Sequence, residues 1–178
     1  RFTGDDAKRN RSGKRAQKEK ISKPSLSRNT SKPSLNWDEK ENFWDEIKDL
    51  EAEKAIEKIE KELANVNDKK HEIDLWIKLG EKLYYIRKEG EAAEKFKAAL
   101  IRDPDNITAI KSLGWCYQKL NKFSDARDCT KKILESDEKN VDALIDYAWC
   151  SQELKDWNQA REYYLKVLGI DEKNVDAN

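Results

Sequence analysis

IDLWIKLGEKLYYIRKEGEAAEKFKAALIRDPDN, residues 73–106, runs without a gap into ITAIKSLGWCYQKLNKFSDARDCTKKILESDEKN, residues 107–140, and then into VDALIDYAWCSQELKDWNQAREYYLKVLGIDEKN, residues 141–174. Each block has 34 residues and ends in Asn. Matching chemistry falls at matching places. The fourth position carries Trp76, Ile110 and Leu144; the seventh Leu79, Leu113 and Tyr147; the eighth Gly80, Gly114 and Ala148; the eleventh Leu83, Tyr117 and Ser151. These four positions follow the i, i+3, i+4, i+7 rule and so share one face of a helix. A second face is formed by Ala92, Ala126 and Ala160 at the twentieth position with Phe96, Thr130 and Tyr164, Ala99, Ile133 and Val167, and Leu100, Leu134 and Leu168 after them. Each block is therefore read as two helices.

Small residues at the eighth and twentieth positions let the two backbones approach, and a bulkier side chain there would overpack the crossing. The spacing predicts short polar turns at Lys88–Glu91 and Asn121–Asp125. Asp103-Pro104-Asp105-Asn106 stops the second helix, since Pro is disfavoured in a helix interior. Glu138 and Glu172 replace that Pro in the other blocks, where the stop rests on the Lys-Asn pair that follows.

This skeleton closely resembles the tetratricopeptide repeat in period and in its pattern of large and small residues. The resemblance implies an all-α fold, a right-handed solenoid of helix-turn-helix units. In such an array each unit buries its face on its neighbours, and end units are atypical. Residues 73–106, 107–140 and 141–174 are taken as three repeats and 37–72 as a helical cap or divergent repeat. Asn36 and Glu39 read as the capping box that opens this stretch. Its apolar positions slip between Leu50 and Ala55, which suggests two helices, with Ala55 at the small position of the second. A single long helix packed on the first repeat is the alternative. Val175-Asp176-Ala177 restarts the pattern of Val141-Asp142-Ala143, so 175–178 are read as the start of a further helix and the chain as a piece of a longer protein.

The net charge of zero conceals an asymmetry. Residues 1–36 hold eleven Lys or Arg against three Asp or Glu, a balance of +8, which leaves −8 for residues 37–178. That leader has one aromatic and almost no periodic apolar positions, so it is expected to be disordered. It carries Ser22-Lys23-Pro24-Ser25-Leu26 and Ser31-Lys32-Pro33-Ser34-Leu35, two copies of a short motif or chance similarity in a biased stretch. Its Lys8–Lys20 block suits nucleic acid or another acidic surface. No apolar run approaches the roughly 20 residues of a membrane span.

Cys116, Cys129 and Cys150 lack metal-ligand spacing, and His71 is the only histidine. They read as small apolar side chains, with no cofactor or metal expected. Free thiols point to a reducing, intracellular compartment, the cytoplasm first. No nucleophile is paired with a base, Asp142 and Asp146 being i, i+4 neighbours on an open helix face, so no enzymatic activity is expected.

By the resemblance, the first helices line a concave groove. The residues facing it would include Ile77, Tyr84, Tyr85, Lys111, Trp115, Gln118, Lys119, Ile145 and Trp149, with Trp115 and Trp149 at the same position one repeat apart. Trp and Tyr supply much of the energy at protein interfaces. The alternative makes the two tryptophans structural filler, wedged between helices or covered by Trp37, Phe43 and Trp44. Relatives that clamp acidic chaperone tails use Lys, Asn and Arg where this chain has Ile77, Glu81, Ser112, Asp142 and Asp146, so that clamp is missing. Two functions stay open. One is a non-enzymatic adaptor that docks a partner peptide or helix in the groove; the other is a structural subunit of a ribonucleoprotein or other large assembly, anchored by residues 1–36.

Overall fold

A computed structural model of the chain describes residues 37–48 and 50–170. The basic leader, the Asn36 cap and the restart at 175–178 lie outside them. All regular structure among the described residues is helical: α1 (Trp37–Lys48), α2 (Ala52–Leu63), α3 (Lys69–Tyr85), α4 (Glu89–Arg102), α5 (Ile107–Lys119), α6 (Phe123–Ser136), α7 (Val141–Glu153) and α8 (Trp157–Ile170). From α2 onward each helix packs on the next, and α3 also touches α5, which is the one-dimensional stacking of a solenoid. The stretch before the repeats is two helices, broken where the apolar pattern slips, and Ala55 and Ile59 on α2 are fully buried.

The positions read as one helix face form the core. Leu79, Ala92, Phe96 and Ala99 of the first repeat are buried, as are Leu113, Gly114, Ala126 and Ile133 of the second and Leu144, Ala148, Ala160 and Val167 of the third. The small eighth position is tightest in the first repeat. A Cβ added at Gly80 would lie 2.7 Å from the Phe96 ring, whereas one at Gly114 would meet the Cys129 Cβ at 3.3 Å. Cys116, Cys129 and Cys150 are free and buried, and burial pushes their thiols up to about 12, 11 and 12 respectively.

Two local signals differ from the sequence reading. The turns inside the repeats come earlier than the polar stretches, because α3, α5 and α7 each end in a left-handed residue at one 34-residue spacing: Arg87 (φ 65°), Asn121 (φ 57°) and Lys155 (φ 62°). The following amides close a Schellman motif, with Lys88 N–H donating to the Leu83 carbonyl and Lys122 N–H to that of Tyr117. Glu89, Glu91 and Asp125 thereby fall in the first turn of the next helix, where the dipole favours negative charge.

The stop between repeats does not depend on Pro104. Asn106 caps α5 by accepting from the Ala109 amide at 3.0 Å, and Asn140 caps α7 by accepting from Ala143 at 3.1 Å. Their own side-chain amides donate back to Asp103 and Asp137. The Asn that closes each of the first two blocks is thus the N-cap of the next. In the first repeat the cap is Asp68, which accepts from the His71 amide, so α3 begins before Ile73 and runs to 17 residues.

Candidate functional site

A concavity lies between α5 and α7. It is a groove of about 510 Å3 lined by Gln118, Lys119, Asn121, Ile145, Asp146, Trp149 and Tyr164. Gln118, Lys119, Ile145 and Trp149 are groove residues of the sequence reading. Trp149 is half-buried and held edge-on against Phe123, the first residue of α6, with ring centroids 5.4 Å apart. That contact supports one side of its ring beside the groove.

Trp115, one repeat earlier, is 39% exposed. The ammonium of Lys111 sits 5.2 Å from its ring centroid and pairs with Asp142 at 2.9 Å. Lys111 and Trp115 therefore border the groove through the α5–α7 contact rather than line it. The remaining three residues sit on the first repeat, away from the groove. Ile77 is 8% exposed and belongs to the core, because its side of α3 is covered. Tyr84 is half-buried against that core, its hydroxyl held above the ordinary value by burial, and Tyr85 is 79% exposed. Phe43 and Trp44 pack on His71, at ring distances of 6.1 and 5.7 Å, and not on Trp149.

Three lining residues escaped the sequence reading. Asn121 is the left-handed residue that ends α5, and backbone geometry alone brings it there. Tyr164 occupies the position that Phe96 holds in the first repeat. Since Ala148 already carries the Cβ that would strike a ring seated like Phe96, Tyr164 stays half-buried and lines the groove. The pairing of Ala148 with a large aromatic was visible in the sequence and would have flagged it.

Asp146 is the third. It does not stand on an open helix face: it is half-buried, unlike its neighbour Asp142. Gln118 Nε2 donates to its carboxylate at 3.3 Å. Burial holds its carboxyl above the ordinary range, against the lowering effects of Gln118, Lys111 and the Trp115 indole.

Tetratricopeptide-repeat family models match residues 88–139 and 142–170. No curated protein matches the chain in sequence. Among solved structures, a tetratricopeptide repeat protein from Parabacteroides merdae is 21% identical with a TM-score of 0.71, over 77% of this chain and 54% of that one. YrrB, a TPR protein with an unusual peptide-binding site, is 20% identical with a TM-score of 0.62, over 71% of this chain and 63% of its own. The first TPR of Spaghetti (RPAP3), bound to the HSP90 peptide SRMEEVD, is 20% identical with a TM-score of 0.55, over 59% and 83%. The chain thus spans about half the length of the first of these and under two thirds of the second. At such identities the likeness is one of fold.

Proposed function

We propose that the chain, which tetratricopeptide-repeat family models match over residues 88–139 and 142–170, is a non-enzymatic adaptor that docks an extended partner peptide in the groove between α5 and α7. The observation that carries this reading is Trp149, an aromatic anchor pinned by Phe123 in a groove of mixed polar and apolar lining. Ile145 and Tyr164 extend its apolar surface, while Asn121 and Lys119 offer amide and ammonium donors to a peptide backbone. The buried thiols add no nucleophile, since a thiol pushed up to about 11 or 12 is protonated at neutral pH. The peptide-bound structures of Spaghetti and the peptide-binding site of YrrB are precedent for the fold holding such ligands.

Selection of the full chain against a random peptide library tests this. Enriched peptides should lose roughly 30-fold or more in affinity on Trp149→Ala, the size of an interface hot spot, and be nearly indifferent to Tyr85→Ala. Equal binding by the Trp149→Ala chain, with its helical circular dichroism unchanged, would overturn the reading.

A further inference from the structure

Asp146 has a geometry that docking alone does not require. It lines the groove beside Ile145, Trp149 and Tyr164, and the donors that face it are neutral: the Gln118 amide and the Trp115 indole N–H. The cation near it is committed elsewhere, Lys111 donating to Asp142 at 2.9 Å and lying over the Trp115 ring. Lys119 stands exposed at the groove's edge, on the last turn of α5. Asp142 and the buried Cys150 are the other titratable groups close to it. A carboxylate is acceptor-only, with room for about four hydrogen bonds. Two neutral donors leave part of that capacity facing the groove.

We propose that this groove recognises one basic side chain, the Arg or Lys of an extended partner peptide, with Asp146 as the acceptor of its charge and Trp149 and Tyr164 flanking its stem. This rests on the docking function above and names the chemistry of the ligand. An Arg fork or an ammonium supplies the charged donor that the neutral amide and indole do not, and charge-assisted hydrogen bonds are about twice as strong as neutral ones. Aromatic faces beside the carboxylate suit a cation and the methylenes behind it. Lys119 sets a limit: a second basic residue placed against α5 would meet its ammonium. The preferred ligand therefore carries a single cation in apolar or acidic surroundings. Charge complementarity at one point, rather than overall charge, defines the partner.

The test uses the full chain and a set of acetylated heptapeptides with one apolar flanking sequence, differing at the centre as Arg, Lys, citrulline or Glu. Fluorescence anisotropy should show the Arg and Lys peptides binding at least about tenfold tighter than citrulline and Glu, the discrimination one charged pair supports. Asp146→Asn should erase that preference, and Lys119→Glu should let a second basic residue be added without loss. Equal affinity for Arg and citrulline in the wild-type chain overturns the proposal without any variant, and so does a preference that survives Asp146→Asn. If peptides bind through Trp149 with no preference at the centre, only this proposal fails. If no peptide binds and Trp149→Ala changes nothing, the docking function fails with it.

Discussion

The first and third repeats obey the same code and end differently. In the first, Gly80 leaves room for the Phe96 ring, which is buried to 1% exposure. In the third, Ala148 fills that room and Tyr164 turns toward the groove. The eighth and twenty-fourth positions trade size between the two repeats, glycine with a buried ring in the first and alanine with a half-buried ring in the third.

The largest effect expected from breaking this comparison is at the sealed end. Phe96→Ala should destabilise the chain by about 3–5 kcal/mol, while Tyr164→Ala, at a half-buried site, should cost well under half of that, both read from urea denaturation midpoints. Next comes the glycine itself. Gly80→Ala gains about 1 kcal/mol as a better helix former but forces the Phe96 ring, and overpacking of that kind costs about 1–3 kcal/mol. Net destabilisation is expected. Gly114→Ala meets a tight contact with the Cys129 Cβ at 3.3 Å, which offsets the gain in helix propensity, and should come out near neutral.

A smaller and opposite shift is expected in the turns. Lys155→Gly should stabilise by about 0.5–1 kcal/mol, because glycine alone holds a left-handed φ without Cβ strain. Gly at Asn121 should gain less, since Asn tolerates that region.

The smallest effect concerns pH. Burial raises the Asp146 carboxyl, so its contribution to stability is present below the ordinary carboxylate range and is lost as pH rises through the raised value. At neutral pH the charged form therefore weakens the fold. Asp146→Asn should be as stable as the parent or slightly more so at pH 7, and should flatten the pH dependence of the urea midpoint across the weakly acidic range. A marked loss of stability at pH 7 would show that the charged form is needed structurally.

Architecture was legible because periodicity is a sum over many positions. Eight positions repeating at one spacing outweigh substitutions such as Thr130 for Phe96. The break before α2 was legible for the same reason. The groove was legible only in part. Trp149, Ile145 and Lys119 follow from helix register, but Ile77 has the same register and is buried, because the helices packed around α3 differ from those around α7. Register places a side chain on a face; what covers that face is decided elsewhere in the chain. Asp146 shows the converse, an acidic residue with no sequence mark of burial that α5 half-covers through Gln118 and Trp115.

The caps at Asn106 and Asn140 have one more consequence. Each belongs to one block by sequence and serves the helix of the next, so no block is a closed unit. A deletion of 34 residues that runs from a point in the second block to the same point in the third leaves the surviving first helix an Asn cap. A deletion that is not a whole number of periods puts that helix start out of phase with its cap. The array can therefore gain or lose whole periods by a single recombination event, and the length of its groove is a quantity that inheritance can count in steps.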